Sequence, residues 1–267
     1  MDPTKLAVGA GAAVLVGGGG YGISTLFTGG NMPGYSPRNV NATNTKYVDN
    51  YPDYFVDASK GKNREWWDWV YETRYLVARE NKTSDGQTRP EPKQSFIGLE
   101  RGSGDDKSIQ KVCRDVYGVD SNKVKTTGNI GDGEYSEADV WRYCTAVNKK
   151  PVLLSSSDAA VTEEKTRYTN NTYGDTKKDK LVAITPQDNE FFWQEQQRLF
   201  FKKDGERSGE KATKTNNFLF KALWDKGSGS LKNTCEEAYK VAVSTNTGND
   251  KKFEETDLLK FCSLEGK

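Results

Sequence analysis

Hydrophobic positions along the chain follow two rhythms, and each predicts a different kind of helix. From Leu6 to Phe27 there are 22 consecutive residues without Asp, Glu, Lys or Arg, whereas charged side chains recur every few positions elsewhere. Wound as a helix at about 1.5 Å per residue, this run would cover ~33 Å, enough to cross a hydrocarbon core of ~30 Å. Its glycines (Gly9, Gly11, Gly17, Gly18, Gly19, Gly20 and Gly22) would each cost a helix in water ~1 kcal/mol relative to alanine. That objection weakens in lipid, where backbone groups must be satisfied internally. A membrane anchor is the expectation, with a cleaved signal peptide or a soluble glycine-rich arm as alternatives. Lys5 beside Asp2 is too little charge to set an orientation.

The second rhythm is amphipathic and occurs twice. Ile109, Val112, Cys113, Val116 and Tyr117 fall at i, i+3, i+4, i+7 and i+8, one face of a helix, and Leu231, Thr234, Cys235, Ala238 and Tyr239 repeat that face. Ser108 and Ser230 stand where an N-cap hydroxyl would accept a free backbone N–H. Further on, Tyr135-Ser-Glu-Ala-Asp139-Val-Trp-Arg-Tyr-Cys144 aligns without a gap to Phe253-Glu-Glu-Thr-Asp257-Leu-Leu-Lys-Phe-Cys262. Upstream, Arg101-Gly-Ser-Gly104 matches Lys226-Gly-Ser-Gly229. An aromatic block pairs Trp69 and Arg74 with Trp193 and Arg198, and Trp66-Trp67 with Phe191-Phe192. Four blocks in one order indicate an internal duplication. The expected fold is therefore mainly α, with an N-terminal transmembrane helix followed by two tandem similar small helical modules. The anchor takes residues 1–28, a flexible linker 29–60, the first module 61–148, a second linker 149–184, and the second module 185–267. Thr185 and Pro186 read as cap and first helical position of that last unit.

Composition narrows the picture. Only 34% of residues are hydrophobic and mean hydropathy is -0.83, so the core must be thin and aromatic. The six Trp, thirteen Tyr and eleven Phe fit this, each ring removing ~150–250 Å² from water when buried. Lys and Arg (39) balance Asp and Glu (38), which removes the field a nucleic-acid binder needs. Histidine is absent, and with it the Ser-His-Asp and Cys-His systems and histidine-ligated metals. No catalytic, cofactor-binding or metal-ligating residue is assigned, and the chain is not expected to be an enzyme.

The four cysteines fall as one pair per copy, Cys113 with Cys144 and Cys235 with Cys262. Disulfides within each copy follow from the repeat and would add ~3–4 kcal/mol on the chain-entropy model. Buried thiols are the alternative, since all four lie on apolar helical faces, while a zinc site lacks both C-x-x-C and histidine. The segment Gly102-Ser-Gly-Asp-Asp-Lys107-Ser108 departs from a phosphate loop in its glycines and acidic pair, and reads as a turn and cap. Residues 129–139 lack calcium-loop spacing. Asp139 and Asp257, matched near helix starts, read as structural. Trp66, Trp67 and Trp69 could stack a ligand, yet their spacing favours burial.

The start MDPTKLAVGAGAAVLVGGGGYGISTLF, followed by an Asn/Lys/Thr-rich region with W-x4-R, C-x3-Y and W-R-Y-C blocks, resembles the paralogous membrane-associated protein families of haemotropic mycoplasmas. The resemblance implies a surface protein and no catalytic residues. The expectation is a single-pass protein of the cell membrane, held by Leu6 to Phe27, its soluble part extracellular. Its role would be interaction or variable antigen, with a host or envelope protein as partner and no nucleic acid. A cell-envelope scaffold, or an unrecognised enzyme, is the alternative.

Overall fold

Short amphipathic helices separated by extended segments build the molecule. The computed structural model describes residues 32–38, 46–51, 53–76, 91–169, 171–213, 215 and 218–266. The run from Leu6 to Phe27, and the membrane helix expected there, lie outside them. Among the described residues no helix is long and apolar enough to cross a membrane. In the first half lie α1 (Arg64–Val70), α2 (Ile109–Val116) and α3 (Glu137–Cys144). The second half holds α4 (Ala159–Lys165), α5 (Tyr173–Thr176), α6 (Glu190–Phe201), α7 (Leu219–Lys226), α8 (Leu231–Tyr239) and α9 (Glu255–Cys262). The protein is mainly helical. Val124–Lys125 and Tyr135–Ser136 add a small parallel pair.

The helices form where the pattern places them. Ser108 caps α2 by accepting from Lys111 N (3.1 Å), and Ser230 caps α8 by accepting from Asn233 N (3.2 Å). Cys113 joins Cys144 and Cys235 joins Cys262 in disulfides, tying α2 to α3 and α8 to α9. Their buried faces, including Ile109, Val116, Trp141, Leu231 and Leu258, belong to one continuous core cluster.

Beneath the helices, one set of backbone and side-chain contacts occurs twice. Val56 N and Val182 N donate to the carbonyls of Cys144 and Cys262, both at 3.1 Å. The Tyr117 hydroxyl lies between the carbonyls of Val56 (2.7 Å) and Cys144 (3.2 Å), and Tyr239 does the same for Val182 (2.9 Å) and Cys262 (3.2 Å). Isolated antiparallel bridges match as well: Lys46 with Asp120 and Thr172 with Ala242, Phe55 with Thr145 and Leu181 with Ser263.

Two asparagines complete the frame. Asn63 grips Ser36 by both its N–H (2.8 Å) and its carbonyl (3.0 Å) and donates also to the Asp57 carbonyl (2.9 Å). Asn189 grips Val152 in the same way (2.7 and 2.8 Å) and donates to Ala183 (2.8 Å). An amide can serve an extended strand on both sides only because it carries donor and acceptor together. Asn189→Ala is expected to leave the Val152 N–H without its acceptor, while the Val152 and Ala183 carbonyls keep the Ala183 N–H and the Trp193 indole, and to lower stability by about 1–3 kcal/mol. A shift of the urea midpoint corresponding to under about 1 kcal/mol would show that water replaces the amide.

These contacts revise the expected linkers. Residues 46–58 bury Tyr47, Val48, Tyr54, Phe55, Val56 and Ala58, while residues 154–184 bury Leu154, Val161, Tyr168 and Leu181 through Ile184. Their apolar residues occur singly or in short extended pieces among Asn, Lys and Asp, so no helical or strand period marks them. Thr185 does not cap a helix: its hydroxyl donates to Glu164 (2.7 Å), and Pro186 precedes a single 3-10 turn before α6.

The aromatic block is also re-registered. Asn63 and Asn189 align Trp66-Trp67 with Phe192-Trp193, and both pairs pack edge to face, with centroids 4.7 and 4.9 Å apart. Trp193 is thus the counterpart of Trp67, not of Trp69. A π-turn at Tyr71–Tyr75 then absorbs one extra residue in the first half. After it Tyr75 meets Tyr143 (5.7 Å), as Phe200 meets Phe261 (5.0 Å), with Phe96 and Phe220 completing the two clusters.

Candidate interaction surface

The matched aspartates near the helix starts are absorbed by the frame. Asp139 accepts from Lys93 N (2.8 Å) and Asp257 from Thr213 N (2.9 Å), each pinning the chain that passes over its helix start. All four cysteines are fully buried, so their sulfurs are structural. Trp66, Trp67 and Trp69 lie in the core and offer no open stacking face. In the turn that faintly resembles a phosphate loop, Ser103 N is taken by Asp68 (2.8 Å) and Gly104 N by Gln110 (3.0 Å). Gly102 permits this approach: a Cβ there would lie 2.1 Å from the Trp67 carbonyl oxygen.

Three further groups hold roles that the sequence pattern does not reveal, although its W-x4-R block names Arg74 and Arg198. Arg74 donates to the carbonyls of Arg142 (2.9 Å) and Thr145 (2.7 Å) at the end of α3. Its counterpart is Arg207, which donates to Lys260 (3.1 Å), Ser263 (2.8 Å) and Leu264 (2.8 Å) at the end of α9. Helix C-termini present unpaired carbonyls and negative potential, which a guanidinium satisfies together. Arg198 instead forks onto Glu195 (2.6 and 2.8 Å) and covers the Tyr35 ring (5.2 Å). Tyr35 in turn donates to Glu195. Burial, with Glu195 beside it, pushes the Tyr35 phenol well above its ordinary value, so it remains a donor. The third group is Glu164, fully buried, which accepts from Ile184 N (2.9 Å), Thr185 N (2.8 Å) and the Tyr168 hydroxyl (3.0 Å).

Asp139 gives a pH signature. Burial raises its carboxyl above the usual value, outweighing the Lys93 N–H and the nearby Arg142. The folded state therefore holds this proton more tightly than the unfolded chain does. The resulting stability is present below the unfolded pKa and is lost as pH rises through the folded one. Asp139→Asn removes that loss, so the variant is expected to gain stability relative to the parent between about pH 3 and pH 6. Denaturation at stepped pH checks the sign, and a gain on acidification would mean that hydrogen bonding to the carboxylate dominates.

What remains for recognition is the surface. Among the described residues no cluster of acidic or sulfur side chains could hold a metal ion. An open depression beside α8 presents Glu237, Lys240, Asp250 and Lys252, two cations and two anions with no convergent buried group. The two halves differ in charge at equivalent places that solvent reaches wholly or in part. Lys62 and Arg64 flank Asn63 where Asp188 and Glu190 flank Asn189, and Arg114 follows Cys113 where Glu236 follows Cys235. Comparison with protein-family models, curated proteins and solved structures returns no match.

Proposed function

We propose that the chain is a membrane-tethered surface protein whose two like-built helical modules form a rigid scaffold for variable recognition surfaces. One observation carries the reading. The residues on which the frame depends are kept at equivalent places (Tyr117 and Tyr239, Asn63 and Asn189, Asp139 and Asp257, the cysteines). Exposed equivalents instead diverge as far as opposite charge. An interaction or antigenic protein tolerates that, because its fold and its contact surface are decided by different residues. The run from Leu6 to Phe27 supplies the tether, and the buried disulfides favour an oxidising exterior.

Protease treatment of intact cells tests the proposal. Loss of epitopes throughout residues 32–266, with retention of the leader in the membrane fraction, is expected. Full protection of that region in intact cells, and digestion only after lysis, rejects a surface location.

A further inference from the structure

We infer that the body lies directly on the membrane that anchors it, with the basic turn Lys60-Gly61-Lys62-Asn63-Arg64 on anionic lipid headgroups. The inference rests on the tether proposed above. Its first support is the length of free chain. The apolar run ends at Phe27, and the chain is already fixed to the body by the mid-thirties. Met32 packs on the core, the Tyr35 ring lies 6.0 Å from Trp66, and Ser36 is clasped on both sides by Asn63. Arg38 N donates to the Phe55 carbonyl at 2.8 Å. Only Thr28, Gly29, Gly30 and Asn31 intervene between Phe27 and Met32. Five extended steps reach at most ~18 Å. The headgroup layer occupies ~5–8 Å of that, leaving about the diameter of one helix.

The second support is charge. Asn63 holds Ser36, so the turn that carries Asn63 sits beside the point where the chain leaves for the membrane. Lys60 is 82% exposed at its side chain and Arg64 79%, and Lys62 is exposed too. Lys60 reaches Asp105 and Arg64 reaches Asp68, the latter at 3.8 Å, both surface pairs that a headgroup phosphate can replace. The equivalent turn in the second half is Pro186-Gln187-Asp188-Asn189-Glu190, which is acidic. Its asparagine clasp is the same, so the frame does not require the basic residues. They occur in the half that carries the tether, where a negatively charged leaflet would draw them.

The test uses the full chain in nonionic detergent micelles, in neutral phosphatidylcholine vesicles and in vesicles containing phosphatidylserine. Flotation reports the tether, and amine acylation of Lys60 and Lys62, read by mass spectrometry, reports the contact. Flotation with both vesicle types and a several-fold drop in acylation on anionic vesicles are expected. In Lys62→Glu/Arg64→Glu, flotation should persist while Lys60 regains its micelle reactivity. A chain that floats but shows equal acylation in micelles and on anionic vesicles overturns the headgroup contact. A chain that floats with neither vesicle overturns the tether itself, and one that floats only with anionic vesicles replaces the tether by peripheral binding through the same turn.

Discussion

Replacing Cys235 and Cys262 together by alanine is expected to destabilise the protein by about 3.5 kcal/mol, and the Cys113/Cys144 pair by about as much. The bridges close segments of 27 and 31 residues, and the entropy withheld from the unfolded chain changes only slowly with length. That is a large share of the ~5–15 kcal/mol that separates folded from unfolded states in ordinary domains. It corresponds to a fall of about 10 °C in melting temperature for a chain of this size. Tyr54 of the first half packs on Phe192 of the second at 5.7 Å, within one core cluster shared by both. Either loss should therefore lower a single transition instead of splitting it in two. All four sulfurs are buried, so a thiol reductant should act at the rate of opening and leave the native protein oxidised for long periods. Calorimetry of the two double variants decides this. A loss below about 1 kcal/mol in both would mean that the unbridged chain is already constrained when unfolded.

How much of this was legible in the sequence depended on whether a contact is written in side chains or in backbone. α2, α3, α8 and α9 each carry a 3.6-residue apolar face and a cysteine, the first three also a serine cap, and their pairing follows from the pattern. The extended segments that lie beneath them are held by backbone bridges such as Phe55 with Thr145 and Leu181 with Ser263, which any residue can make. They looked like linkers for that reason. A signal was nevertheless present: Tyr47, Asp49, Asp53, Val56 and Asn63 recur as Tyr173, Asp175, Asp179, Val182 and Asn189 at one constant spacing. The five identities are scattered among residues that do not match, so they are visible only once the asparagine clasp shows which positions matter. The proposed interaction role has no such signature. Exposed charge that differs between the halves leaves no fixed spacing to read.

The arginines show how identity can mislead, and they make the sharpest test of the frame. Arg74 and Arg198 stand at the same distance after a tryptophan, yet the interior treats Arg74 and Arg207 alike. The segment following α6 loops back to deliver Arg207 to the end of α9, where its side chain is only 2% exposed. It is also a polar link between the halves. Its Nε donates to Asp53 (3.0 Å) and its guanidinium covers the Tyr54 ring (4.8 Å), both from the first half. Arg207→Met keeps the length and removes the charge. It leaves three carbonyls and the Asp53 carboxylate without their partner, and a loss of about 3–5 kcal/mol is expected. Arg207→Lys should recover only part of this, because an ammonium cannot span carbonyls and carboxylate as a planar fork does. Combining Arg207→Met with Asp53→Asn isolates the link between the halves: the double variant should lose less than the sum of the singles, since Asp53 no longer carries an unpaired charge. Strict additivity would confine Arg207 to capping α9 and leave the halves joined by the Tyr54–Phe192 contact and the Tyr35–Glu195 bond.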